Sequence, residues 1–178
     1  MRQCTLMSAL LHQLAEEFSI PVSTLLGRHQ TAYPEAQDLA VAEVGKQGRQ
    51  HLLTPMATQA WHQMQRAALS DGISIFIVSA FRSIERQTQI VRRKLVSGIP
   101  IEQVMAVSAL PGFSEHHSGR AVDVGTPDSA PLEYGFEHTA AFSWLKARAA
   151  DFDFRLSYPA DNQDGYVYEP WHWCYRRG

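Results

Sequence analysis

The sequence predicts an α+β fold, with a partly antiparallel central sheet and helices packed against it. Three observations carry that expectation. Strand-like and helix-like stretches are both present, but they do not alternate regularly, as a doubly wound parallel sheet requires. Residues 73–80 (ISIFIVSA) form a near-continuous β-branched and aromatic run, the pattern of a central strand covered on both faces. The 178 residues are 45% hydrophobic and 19% charged. That is enough apolar material for one core, since a domain near 150 residues buries roughly 70% of its unfolded surface.

In chain order, Leu6, Leu10, Leu14 and Phe18 recur every four residues with Met7 and Leu11 beside them, which predicts an amphipathic helix. Residues 21–53 read as loops with one or two short strands, and no repeat appears. Thr54-Pro55 is a helix start with proline at the first helical position. Met56, Ala60, Met64 and Ala67 give that helix its inward stripe, and Asp71-Gly72 closes it. Strand 73–80 follows. Ser83 caps a helix carrying Ile84, Ile90, Val91 and Leu95, which stops at Gly98 and Pro100, and a short helix covers 102–107. Pro111-Gly112 opens a loop, and residues 120–126 (RAVDVGT) alternate as a strand does. Residues 136–152 read as one helix with Phe142 and Leu145 inward. Strand-like 154–158 and 171–175 flank a polar turn at 161–165.

Lys and Arg total 16 against 18 Asp and Glu, a net charge of -2, so nothing in the balance calls for a nucleic acid or an anionic membrane as partner. The two cysteines, Cys4 and Cys174, cannot form a disulfide framework or a four-thiolate zinc site. No stretch approaches the ~20 apolar residues of a membrane span. The N-terminal residues lack the clean apolar core and cleavage site of an export signal. As written, the chain is expected to be cytoplasmic, or periplasmic or in the cell envelope if such a signal has been removed. Its oligomeric state is left open.

Three segments concentrate reactive groups. In 114–123 (SEHHSGRAVD), His116 precedes a strand that contains Asp123, and a loop doubling back through Gly119 can bring both onto one cation. In 169–173 (EPWHW), two indoles share one face of a strand and aim His172 from the other. In 79–83 (SAFRS), Arg82 stands where a buried strand ends and faces the cleft above the sheet. Two imidazoles and a carboxylate leave a fourth position open, as catalytic zinc sites do, and zinc lowers the pKa of a water there toward ~7. Nickel or cobalt fits the same donors. Glu169 is the candidate base, provided Pro170 breaks the strand so that it can swing back toward His172, and Arg82 is the candidate oxyanion clamp.

Competing readings attach to several of these residues. His12, His29, His51, His62 and His138 lack partners at ligand spacing and read as structural. His117 competes with His116, although side chains one residue apart diverge. Arg82 could pair with Glu85, and Cys174, on His172's face, could close the site as a fourth ligand and make zinc structural.

Together, Ser114-x-His116-x-x-Gly119-x-Ala121-x-Asp123 and Glu169-Pro170-Trp171-His172 resemble the VanY-type zinc D-alanyl-D-alanine carboxypeptidases. These share a fold group with VanX-type dipeptidases and the hedgehog N-terminal domain. The resemblance covers about residues 73–175 and implies a hedgehog/D-Ala-D-Ala-peptidase-like fold there; the length predicts a single domain, 1–178, with that catalytic core at 73–175 and an accessory segment at 1–50 that carries none of the resemblance. It implies zinc on His116, Asp123 and His172, Glu169 as base and Arg82 on the carbonyl oxygen. Ser114 and Gln87 match positions that hold the substrate's terminal carboxylate. The implied reaction is hydrolysis of the C-terminal peptide bond of peptidoglycan stem peptides or other D-Ala-D-Ala-ended peptides. Pro170 looks more like the carboxypeptidases than the dipeptidases, which tend to carry an aromatic there. His117 stands where relatives often have Gln and Cys174 where a basic residue is common, and both changes touch the pocket rim. Two rivals are a catalytically silent zinc-dependent binding module, against which Glu169 and Arg82 weigh, and a peptidoglycan endopeptidase.

Overall fold

The computed structural model describes residues 11–22, 25 and 31–177. Residues 11–18 are helical (α1), with Leu11 and Leu14 buried and Phe18 packed beside them; Leu6, Met7 and Leu10 lie outside the described residues. Strands β1 (Ala40–Val44) and β2 (Gln50–Leu53) then pair as an antiparallel hairpin. Helix α2 (Pro55–Ser70) starts with proline in its first turn, as expected. Its buried face is Ala57, Ala60, Trp61, Met64 and Ala68, while Met56 is 56% exposed. The helix is thus turned from the expected phase so that Trp61, its largest side chain, is fully enclosed and donates its indole N–H to Glu43 Oε2 at 3.3 Å.

Strands β3 (Phe76–Ser79), β4 (Ala121–Gly125), β5 (Phe154–Leu156) and β6 (His172–Tyr175) form a four-stranded sheet in the order β3-β4-β6-β5, antiparallel at every pairing. The α+β expectation holds. The place of β3 does not: it lies at an edge, and β4 and β6, buried at every position, take the centre. The apolar run at 73–80 has another cause. The hairpin covers the β3 edge, where Ile77 N–H donates to Glu43 Oε1 at 3.1 Å and Phe81 N–H to Leu52 O at 3.0 Å. A covered edge strand is as apolar as a central one, and its free N–H groups are satisfied.

Helix α3 (Ile84–Val96) is capped by Ser83, whose hydroxyl accepts from Arg86 N–H at 3.0 Å, and the short α4 (Ile101–Val107) follows. The single helix expected over 136–152 is broken into a 3-10 turn (Tyr134–His138), α5 (Ala140–Arg148) and a second 3-10 turn (Ala149–Phe152). Thr139 causes the break: its backbone is extended and its hydroxyl accepts from Phe142 N–H at 3.1 Å, capping α5. Phe142 and Leu145 are buried as anticipated.

The larger core joins α2, the sheet and α5 around Trp61, Val122, Phe154 and Trp173. A smaller one joins α1 to α3 and α4 through Leu14, Leu25, Val91 and Val104. Among the described residues no helix is long and apolar enough to cross a membrane.

Candidate active site

Residues Glu115–Ser118 form a 3-10 turn. With three residues per turn, successive side chains leave it about 120° apart, so Glu115, His116 and His117 point in three directions. Gly119 ends the turn at φ 64°, and a Cβ there would meet Leu39, Ala36 and Thr54 side chains at 3.0–3.2 Å. Glycine is required on both counts. The chain then enters β4, where Asp123 is the register partner of His172 on β6. On the other side, the expected break at Pro170 is present: His172 N–H donates to Glu169 O at 3.1 Å across a turn that the Trp173 indole pins by donating to Pro170 O at 3.0 Å. Glu169 therefore reaches the same side as His172, with Oε2 3.7 Å from Nδ1. Trp171 lies in this turn, not in the strand, and lines the cleft.

His116, Asp123 and His172 converge, each offering one ligand atom within 4.8 Å of the others, and all three are buried. Asp123 Oδ2 lies 3.3 Å from His116 Nε2, and Oδ1 lies 3.1 Å from His172 Nδ1. The outer nitrogens are committed. His116 Nδ1 donates to Ala80 O at 2.8 Å, and His172 Nε2 to Glu115 Oε2 at 3.0 Å. Each neutral ring then turns a lone pair toward the carboxylate. Three acceptors facing one another need a cation between them, and the donor set fits zinc with a position left over.

A proton can also fill that role. Burial opposes charge on His172, but hydrogen bonds and charge attraction from Asp123 and Glu115 outweigh it and raise its pKa. Burial likewise opposes ionisation of Asp123, and the two histidines outweigh it and hold the carboxyl well below the usual range. Glu169 behaves in the opposite way. Burial pushes it up to about 7, with Asp123 adding to the rise and His172, Arg82 and Lys94 opposing it. A carboxylate with that pKa beside a three-ligand set suits proton transfer at neutral pH.

Arg82 Nη1 donates to Gln87 Oε1 at 3.0 Å, and Gln87 Nε2 donates to Ala109 O at 2.5 Å, so a buried amide holds the guanidinium in place of the surface pairing with Glu85. Ser114 Oγ accepts from His116 N–H at 3.3 Å. Arg82, Gln87, Ser114, Glu169 and the three ligand candidates all line one cleft of about 610 Å³. His117 turns away: Nδ1 donates to Arg82 O at 2.6 Å and Nε2 accepts from Gly112 N–H at 3.1 Å, a clamp between two loops. Cys174 is buried, lines a different cavity beside Arg176, and is pushed up to about 12 by burial and then Glu115, so it stays a thiol.

The family model of VanY, D-alanyl-D-alanine carboxypeptidase, matches residues 50–178. The chain belongs to the VanY family. A D-alanyl-D-alanine carboxypeptidase of Enterococcus faecium is 31% identical over 118 residues, covering 64% of this chain and 34% of that relative. This chain spans about a third to two thirds of the curated relatives it matches. Among solved structures, the LdcB LD-carboxypeptidase superposes with a TM-score of 0.73 at 28% identity, over 81% of this chain and 72% of its own. The VanY D,D-pentapeptidase of the VanB-type cassette gives 0.64 at 26% identity; it has been solved as a variant with Zn(II), over 83% of this chain and 84% of its own, and with D-alanine-D-alanine. The VanY match begins at residue 50, ahead of the resemblance at residue 73, and takes in β2 and α2.

Two features of this VanY-family site go unread in the sequence. Glu115 is buried against His172 and is itself held by Ser157 Oγ at 2.6 Å, Arg176 Nη2 at 2.7 Å and Tyr33 Oη at 3.3 Å. The need of a ligand histidine for an outer carboxylate is the signal that could have singled it out. Lys94, on the cleft face of α3, reads in the sequence as an ordinary helix-end cation.

Proposed function

We propose that this protein is a zinc-dependent carboxypeptidase that removes the C-terminal residue of D-Ala-ended peptidoglycan stem peptides. The observation that carries the proposal is Glu169, largely buried and 3.7 Å from His172, beside a two-imidazole, one-carboxylate set in a cleft. His116 through Nε2, His172 through Nδ1 and Asp123 would hold the metal. Zinc, when bound, supplies a Lewis acid and an acidified water.

The chain's own groups do the rest. Glu169 takes a proton from the attacking water and passes it to the leaving amine. Arg82, steadied by Gln87, donates to the carbonyl oxygen as negative charge grows there. Ser114, whose oxygen already accepts from His116 N–H, keeps its O–H to donate to the terminal carboxylate, with Gln87 behind it on the same wall. The related VanY structures with Zn(II) and with D-alanine-D-alanine support the choice of metal and substrate.

The test is D-alanine release from D-Ala-D-Ala-ended peptides by zinc-loaded and chelator-stripped protein, with free and amidated C-termini. Release that needs zinc and a free terminus is expected. Zinc binding without any release would favour the silent binding module, and equal cleavage of amidated peptides the endopeptidase.

A further inference from the structure

The register of β4 orders the cleft around Asp123, whose partners are Ser79 on β3 and His172 on β6. Toward the start of β4 lie the groups assigned to the carbonyl and the terminal carboxylate. His116 Nδ1 meets Ala80 O, one residue past Ser79, at 2.8 Å, and Arg82 N–H donates to His116 O at 3.2 Å. Ser114 and Gln87 are hydrogen-bonded to these same two residues. Toward the end of β4 the lining changes. Val124 N–H donates to Trp171 O at 2.9 Å, and a Cβ on Gly125 would lie 2.8 Å from Val78. The chain leaving β4 then returns at Leu132 and Tyr134 to line the same cleft.

This second end is apolar and uncovered. The Tyr134 ring stands 5.9 Å from that of Trp171 and is 52% exposed. Leu132 is 45% exposed and holds a left-handed backbone at φ 59°. Leucine rarely adopts that conformation, and strained residues gather at ligand sites. Exposed apolar side chains on a concave wall are surface that a ligand covers.

We infer that Leu132, Tyr134 and Trp171 form an acyl-side specificity subsite, which takes a long aliphatic side chain on the second residue before the scissile bond. The inference rests on the function proposed above, with the terminal carboxylate at Ser114 and Gln87 and the scissile carbonyl at Arg82. A peptide running on from that carbonyl past Asp123 meets the aromatic end next. The first acyl residue occupies the ligand set itself. Trp171 lies one strand residue beyond, and Tyr134 is 5.9 Å from Trp171. At about 3.3–3.6 Å per extended residue, this wall faces the second acyl residue.

Acetyl-X-D-Ala-D-Ala peptides with L-alanine, L-norleucine or L-lysine at X test it, through kcat/KM for D-alanine release and Kd for zinc-loaded Glu169→Ala protein. Recognition of an ammonium by Glu133, which also lines the cleft, is the rival. Norleucine and lysine should both exceed alanine by about tenfold, because their added methylenes are covered on a half-open wall. The norleucine gain should survive high salt. Tyr134→Phe should keep it. In the Leu132→Gly/Tyr134→Ala double variant the norleucine-to-alanine ratio should approach one while zinc stoichiometry holds. Glycine suits the backbone at Leu132, so that loss is not one of folding. Equal values for norleucine and alanine in wild type, a gain confined to lysine, or a gain that survives the double variant overturns the subsite. Norleucine moved to the leaving residue should gain nothing; a gain there that the double variant abolishes overturns the direction. Failure to release D-alanine from any peptide overturns the parent reading alone, since the Kd ratio still reads the wall.

Discussion

Glu115 Oε2 lies 3.0 Å from His172 Nε2, on the edge of the imidazole opposite the nitrogen that faces Asp123 at 3.1 Å. This contact decides which nitrogen is free to bind a metal. Glu115→Gln keeps the shape and removes the charge, so zinc affinity should fall about 10–100-fold, as loss of an outer-shell partner typically does. Competition with a chromophoric chelator measures it; unchanged affinity would mean that something else orients the ring.

Zinc uptake should displace a proton. In the metal-free protein burial disfavours the charged ring of His172, but Asp123 and Glu115 outweigh it and raise its pKa, so the ring is protonated at neutral pH. Affinity should therefore rise with pH, with about one proton released per zinc. Calorimetry in two buffers of different ionisation enthalpy counts the proton, and a count of zero would contradict the assignment.

Glu169→Ala should retain stoichiometric zinc and lose about 10²–10⁴-fold in turnover. Because burial pushes Glu169 up to about 7, kcat/KM in wild type should fall as the pH drops through that region and the base takes up a proton. Lys94 pulls the Glu169 pKa down, so Lys94→Met should move this acid limb to higher pH. A flat profile, or near-normal turnover in Glu169→Ala, removes the residue from its role.

His116 and His117 should separate cleanly. His116→Ala should release zinc. His117→Ala leaves Arg82 O and Gly112 N–H without their partner, at a cost of about 2–4 kcal/mol, and should lower Tm while zinc stoichiometry holds. Zinc loss in a folded His117→Ala protein would reverse the assignment.

His116, Asp123, Glu169 and His172 were legible because each sits in a short segment whose spacing maps directly onto a strand or a turn. Glu115 is not, since it shares the 3-10 turn with His116 and its role depends on contact with His172, 57 residues away, which no local spacing reports. β3 read as central because apolar content reports coverage, not position, and its coverage comes from the hairpin. The apolar pattern at 136–152 runs through Thr139 unbroken; only the local hydroxyl bond to Phe142 N–H reveals the stop. Periodicity places Met56 inward, but enclosing Trp61 sets the phase of α2.

X-ray absorption at the zinc edge of the reconstituted protein tests the central claim most directly. Imidazole and carboxylate donors from His116, His172 and Asp123 predict one zinc per chain, with a nitrogen and oxygen shell at about 2.0–2.2 Å and two-imidazole outer scattering. A sulfur shell at about 2.3 Å, or the absence of imidazole scattering, would contradict it.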